Sequence, residues 1–521
     1  MGISSLMSGR GRTILIFMLA ALAIMVRSLI YSHGCLSPDS CNYLMLARAL
    51  METKSYSVYG GFMYEPDSLK FMTTWPFGFP LLIALVCTAL GIPVFLASKI
   101  LNLLILGIIF WIFDRVFGRD GWLYSSMFLA IDFLEVFSYT WSEVPFVLGL
   151  LWFVVALHRQ NQSGTGHFLH ALNVLSSVLM LFLMRYVGAF ALGITGLSML
   201  YLLYQKKHVR ALWLLVPLVV GASFIGAYMM YVKAESGYAT GIPRVSGHVA
   251  GLDFLMMCIG SVLSDMNVIY TVTKNPYFVL NRRGIIFFGT LLMQLVILYY
   301  VFFRKASSAR DWRKTDVTDN LWLYFTTTGL MYYACIILLV SRNTADTLIG
   351  RYSFPGFFMV LTGIITYLRS HLREEHFGRF KQAFLLIVSI SYLFFFILPS
   401  VNFAYQRKSR TSYYENISVL QERIRDIPSG SVLVFRDDHH LYLRSDIIYA
   451  LPYTKPLFPE EQEWGPYVQK LKKAYPGRKI YVLIKKFEEG GSHEENIFKY
   501  KFHPTVYEFM KKNKDANIIE L

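Results

Sequence analysis

From residue 13 to residue 402 the chain repeats one feature: apolar runs of about 20 residues, each long enough to cross the hydrocarbon core of a bilayer as a helix. After residue 402 the runs stop. That pattern predicts a polytopic α-helical membrane domain over residues 1–403 and a small α/β domain over residues 404–521. Composition agrees, since 55% of residues are apolar and 16% charged, against roughly 25% charged in an ordinary soluble domain. A simple cytosolic enzyme, a disordered chain and a fibrous repeat are excluded.

The first run, Thr13 to Tyr31, follows Arg10 and Arg12 and contains Ala20, Ala21 and Ala23, which gives it the outline of a signal peptide. Apolar residues continue beyond any cleavage point and further spans follow, so it reads as an uncleaved anchor. Ten more runs fall near 94–113, 121–141, 144–158, 168–186, 188–204, 211–231, 284–303, 321–340, 352–368 and 382–402, about eleven spans in all.

The formal charge of +16 looks like a nucleic-acid signal until it is located. The tail from Tyr405 holds 20 Lys/Arg against 16 Asp/Glu, which leaves +12 among the apolar runs. Threaded from a cytoplasmic N-terminus, the inner loops hold Arg10, Arg12, Arg115, Arg119, Arg159, Lys206, Lys207, Arg210, Arg304, Lys305, Arg310, Arg313, Lys314, Arg369, Arg373, Arg379 and Lys381. This is the positive-inside pattern of an inner or plasma membrane protein, with no call for a nucleic-acid partner. An odd number of spans then exports the tail to the periplasm or cell exterior.

Two outer segments, 32–93 and 232–283, are too long to be turns. In the first, Ser40 to Met51 reads as an amphipathic helix, and Phe77 to Leu90 is an apolar run too short to span, so it lies in the interface or re-enters. The tail has buried-strand patterns at Ser431–Phe435 and Lys479–Ile484 and helical patterns at Ser412–Arg425 and Glu461–Ala474. His439-His440 after Asp437-Asp438 reads as a polar strand-to-loop junction, because adjacent residues rarely converge on one metal ion. No phosphate-binding glycine loop and no metal-ligand spacing occurs, and five cysteines make no disulfide scaffold.

Charged residues at one set of helix ends point to a site, because each is costly if left in lipid. Ser37-Pro38-Asp39-Ser40-Cys41-Asn42-Tyr43 follows the first span, and Asp39 is either a helix N-cap or a base for a substrate hydroxyl. Thr73-Thr-Trp-Pro-Phe-Gly-Phe-Pro80 opens the interfacial helix, with Trp75 suited to headgroup depth. Trp141-Ser142-Glu143-Val144-Pro145 carries a second acid in a tight turn. Arg185-Tyr186, and Arg342 through Arg351-Tyr352, run against the charge bias. Together with Lys99 near another outer end they favour an anionic ligand, a phosphate at the outer leaflet being the natural one.

This order of motifs resembles the GT-C superfamily of integral-membrane glycosyltransferases, which includes protein O-mannosyltransferases and lipid A aminoarabinose transferases. The resemblance rests on an Asp after the first span, Trp-Pro-x-Gly-Phe-Pro-Leu-Leu, an acid in the next outer turn, Arg-Tyr-Val-Gly and Arg-Tyr-x-x-Pro, over roughly residues 10–400. It implies a polyprenyl-phosphate sugar donor and a lipid, glycan or protein acceptor. Asp39 and Glu143 map to the catalytic acids, and Arg185 and Arg351 to phosphate contacts, with Arg342 and Lys99 as further candidates. Tyr43, Trp75, Tyr186 and Tyr352 are candidates for positioning donor or acceptor. Many members carry two adjacent acids in the first loop, where this chain has Asp39-Ser40; a divalent metal is left open as a cofactor. Inverting transfer with Asp39 as general base is the implied chemistry.

Two rivals come from other classes. A transporter or flippase of lipid-linked sugars would place charges near the midplane and repeat its halves; only Arg27, inside the first span, fits that. A ligase or polymerase of such sugars shares outer arginines but needs neither the early Asp nor the exported tail. Cys35 and Cys41 flank Asp39 closely enough to raise the question of a disulfide, with two free thiols as the default.

Overall fold

The computed structural model describes residues 9–30, 34–59, 69–71, 73–162, 165–240, 251–270, 282–303, 320–342, 350–405, 413–434, 443–444, 446–450, 464–483, 505, 508–509, 512–513 and 518–521. Inner-loop residues Arg304 to Lys314 and the Asp437–His440 stretch lie outside these.

In chain order the first part contains α1 (Gly9–Ile30), α2 (Pro38–Glu52), the strands β1 (Ser57–Tyr59) and β2 (Leu69–Phe71), α3 (Gly78–Leu90) and α4 (Val94–Phe117). The short α5 (Gly121–Ser126) and α6 (Ile131–Ser138) lead to α7 (Glu143–Gln162), α8 (His167–Met184), α9 (Phe190–Tyr204), α10 (His208–Trp213) and α11 (Leu215–Ser236). Then come α12 (Gly251–Met266), α13 (Arg282–Phe303), α14 (Leu321–Arg342), α15 (Phe354–His371), α16 (Glu374–Tyr392) and α17 (Leu398–Tyr405). The tail adds α18 (Tyr413–Ile424), β3 (Val432–Val434), β4 (Ile448–Ala450), α19 (Trp464–Ala474), β5 (Ile480–Leu483) and β6 (Ile518–Glu520).

Among the described residues eight helical stretches are long and apolar enough to cross a membrane. The remaining expected spans are α13, α15 and the segment 121–141. That last segment is not the single helix its apolarity predicts. It breaks at Ala130, where the backbone is extended at φ −70°, ψ 150°, and the freed Ile131 N–H donates to Ser391 Oγ at 3.0 Å. A broken helix at membrane depth is tolerated where a neighbour satisfies the backbone, as Ser391 does here. The segment still runs the length of α1: Arg12 lies over the Trp122 ring at one end, and Ser28 Oγ donates to Ser138 O at the other.

Among the described residues the expected basic loops meet at one end of the bundle. Asp120 accepts from both Arg369 and Lys381 there, at 3.0 and 2.6 Å, and the start of α1 packs on Arg119. Helix α3 does not cross. Its first residue, Gly78, packs on the Leu183 carbonyl at the opposite end of the bundle, and Gly91 at φ 65° reverses the chain straight into α4. Helix α12 and the β1–β2 hairpin were not legible in the sequence.

The tail forms a four-stranded sheet in the order β4-β3-β5-β6, with β3 parallel to β4 and β5, and β6 antiparallel to β5. Leu433 stands opposite Tyr449 and Tyr481, and Val432, Val434, Ile480 and Val482 bury against Tyr467 and Leu471 of α19. β3 and β5 match the expected buried strands; β4 and β6 are additional. The tail sits at the end of the bundle away from the basic loops, where Arg48 of α2 donates to the Leu443 carbonyl.

Candidate active site

Three turns converge at that same end. The first opens α2, whose N-cap is Ser37: its Oγ accepts from Ser40 N at 3.3 Å and from Trp141 Nε1 at 2.8 Å. Asp39 is therefore not the cap, contrary to the simplest sequence reading. It sits in the first turn with its carboxylate free to leave the helix, and forms an ion pair with Arg351. The second turn presents Glu143 at the start of α7, where it pairs with Arg185. The third is the turn Gly350–Tyr352, which brings in Arg351, 3.9 Å from the Glu143 carboxylate.

Two carboxylates and two guanidiniums thus form one cluster around the Tyr352 ring, with the Arg351 and Arg185 guanidinium carbons 4.8 and 5.7 Å from its centroid. Arg351 also lies over Trp141 at 5.1 Å and donates to Tyr352 Oη at 2.9 Å. Burial works against both cations, but Glu143 beside Arg185 and Asp39 beside Arg351 hold them charged, further above the usual arginine range. The pairs differ in access. The Glu143 side chain is 2% exposed, whereas Asp39 and Arg351 are 23% and 20% exposed. A substrate can reach the second pair.

The supporting shell ties these turns together. Tyr43 Oη donates to Ser142 Oγ at 2.9 Å, linking α2 to the Glu143 turn, and burial pushes its hydroxyl pKa well up, with Glu143 and Asp39 adding to the effect. Trp75 packs on Tyr43 with ring centroids 5.2 Å apart. Tyr186 Oη donates to Thr73 O at 2.8 Å. The glycine of Arg-Tyr-Val-Gly has a steric reason, since a Cβ on Gly188 would meet the Leu181 carbonyl at 2.3 Å. The glycine of Trp-Pro-x-Gly has the same one, at Leu183.

Two of the expected phosphate ligands stand elsewhere. Arg342 is exposed at the end of α14 and pairs with neither acid among the described residues. Lys99 is completely buried and donates to two backbone carbonyls. Cys35 and Cys41 are free and buried rather than bridged; Cys35 Sγ donates to the Arg27 carbonyl at 3.6 Å, and burial raises its thiol pKa. Arg27, the odd charge in the first span, pairs with Glu135 of α6 at 3.7 Å. Among the described residues no group of three or more His, Cys, Asp or Glu converges as metal ligands would.

No family model and no curated protein sequence matches the chain. Among solved structures, ArnT from Cupriavidus metallidurans bound to undecaprenyl phosphate aligns with a TM-score of 0.53, covering 91% of this chain and 93% of that one at 13% identity. The chain shares the fold of this ArnT structure. ArnT in the apo state (TM-score 0.45, 12% identity, 91% and 93% covered) and the archaeal oligosaccharyltransferase AglB from Archaeoglobus fulgidus, in complex with an inhibitory peptide and a dolichol-phosphate (0.44, 10%, 90% and 69%), also align.

Within this fold, sequence reasoning missed Asp265. It ends α12, 6% exposed, and accepts from Tyr333 Oη at 2.5 Å and Ser353 Oγ at 2.9 Å. It thereby anchors the turn that carries Arg351. Burial pushes its carboxyl up to about 7, only partly offset by the two hydroxyls. An acid whose folded value lies above its unfolded one holds an extra proton in the folded state between the two, so Asp265 subtracts stability as pH rises from about 4 to about 7. Asp265→Asn removes that dependence. Its melting temperature relative to wild type is expected to climb between about pH 5 and about pH 8 in detergent; a constant difference would show that the carboxyl stays ionised throughout.

Proposed function

We propose that this protein is a membrane glycosyltransferase that moves a sugar from a polyprenyl-phosphate donor to a hydroxyl acceptor on the extracytoplasmic side, with inversion at C1. The observation that carries the reading is the partly exposed Asp39–Arg351 pair set beside the buried Glu143–Arg185 pair. A carboxylate and a guanidinium in one accessible cluster supply the two charges the reaction needs. The acceptor oxygen attacks C1 while an Asp39 oxygen takes its proton. The bond from C1 to the phosphate oxygen breaks, and the lipid phosphate leaves with the electron pair. Arg351 offsets the charge on that leaving group, the kind of electrostatic stabilisation that usually dominates.

The same pair implies an order of events. With no donor, Arg351 engages Asp39; a phosphate that takes over the guanidinium releases the carboxylate for its role as base. Glu143 keeps Arg185 in place beneath both. The lipid, glycan or protein nature of the acceptor follows from mass spectrometry of the cell's lipid A, surface glycans and exported proteins with and without this protein. A sugar missing from one of these names the acceptor; no difference in any of them, with lipid-linked sugars accumulating on the inner leaflet instead, would favour a flippase.

Topology gives a separate check. A reporter fused after Gly430 is expected to score as exported and one fused after Lys207 as cytoplasmic, because the short basic loops hold their end of the bundle inside. Both reporters on one side would remove the case for extracytoplasmic chemistry.

A further inference from the structure

Lys99 is a lysine inside a membrane span that touches no lipid, no solvent and, among the described residues, no carboxylate as an ion-pair partner. It is 0% exposed. A buried cation without a counter-ion is costly enough to need a reason. Its ammonium donates to Cys35 O at 3.3 Å and to Ser138 O at 2.6 Å. These carbonyls belong to the turn before Asp39 and to the C-terminal end of α6, just before the Glu143 turn. The second is one of the carbonyls a helix end leaves without an internal partner, at the negative end of the helix dipole, where a cation is favoured.

The neighbours of Lys99 on α4 serve the same end of α6, Ser98 also donating to Phe95 O of its own helix at 2.7 Å. Asn102 donates to Phe137 O and Tyr139 O at 2.9 and 2.8 Å, and Ser98 Oγ lies 2.8 Å from Thr140 Oγ1. Among these three, Lys99 alone also reaches the Asp39 turn. That turn is strained: Cys35 has φ 48°, a left-handed conformation that a non-glycine residue keeps only when its surroundings hold it there.

We propose that Lys99 is a positioning residue, a buried ammonium that ties the strained Gly34–Cys35 turn to the end of α6 and so fixes Asp39 relative to Glu143. It contacts no substrate. Only the catalytic consequence rests on the glycosyltransferase reading; the tie itself is a statement about the turn. With Lys99 gone, Cys35 is free to relax, and a displacement of about 1 Å at Asp39 is enough to lower a rate about a hundredfold.

The test uses Lys99→Met in the full-length protein and follows alkylation of each cysteine by peptide mass mapping. Cys35 and Cys41 are 1% and 0% exposed, and Cys41 sits within α2, so it reports global opening while Cys35 reports the turn. The expected result is labelling of Cys35 faster by about tenfold or more, with Cys41 still protected, and no such change in Asn102→Ala. Transfer should fall by roughly 10- to 100-fold while polyprenyl phosphate binding stays within about twofold. Unchanged Cys35 labelling, or Cys35 and Cys41 exposed together, would overturn the proposal. Where Lys99→Met does not accumulate as folded protein, Lys99→Leu, which likewise lacks an N–H donor, gives the same comparison. Faster Cys35 labelling in a protein with no measurable transfer would leave the tie standing and count against the glycosyltransferase reading instead.

Discussion

Asp39→Asn is expected to lower sugar transfer by about 10²–10⁴ while leaving expression and melting temperature near wild type. The change keeps the shape of the side chain and removes its capacity to accept a proton. Helix α2 does not depend on it, because Ser37 supplies the cap, so a loss of activity reads as chemistry rather than unfolding. The measurement is release of free polyprenyl phosphate from a polyprenyl-phosphate sugar in proteoliposomes. Near-normal release would reduce Asp39 to an ion-pair partner of Arg351 and move the base elsewhere.

Arg351→Ala is expected to cost about 10²–10³ in turnover, the usual scale for losing one preorganised group that meets developing charge. Arg351→Lys should fall between, since the ammonium keeps the charge but loses the planar fork that grips phosphate and stacks on Trp141 and Tyr352. The exchange of partners at Arg351 makes a sharper prediction with an unusual sign. Asp39→Asn, although inactive, should bind polyprenyl phosphate roughly three- to tenfold more tightly than wild type, because the Asp39 carboxylate no longer competes for the guanidinium. In an Arg351→Ala background the same Asn substitution should change binding little. Equal tightening in both backgrounds would mean general electrostatics rather than competition, and the double-mutant cycle separates the two.

Both predictions turn on residues that the sequence singled out, yet it left their relations open. Asp39 was ambiguous between a cap and a base because Ser37, Asp39 and Ser40 are all capable caps at nearly the same position. Choosing among them needs Trp141, which arrives from a distant turn to donate to Ser37. Lys99 at a predicted outer helix end looked like a phosphate ligand, since its position along the membrane normal is readable and its direction around the helix is not. Asp265 gave no signal at all, standing in a segment without motif or clear periodicity.

The amino-acid sequence by itself determined that the chain is a multi-pass membrane protein, which loops are basic and which turns carry acids. Those are local properties, set by the length of an apolar run and the charge beside it, and tertiary packing does not override them. Only the tertiary structure decided that Asp39 pairs with Arg351 and Glu143 with Arg185, and that a buried ammonium joins two acid-bearing turns. It also decided that the 121–138 segment breaks where Ser391 can satisfy the freed amide. Each of these depends on groups far apart in the chain meeting within hydrogen-bond distance, and whether a buried charge is a ligand, a base or a strut depends on the partner it meets there.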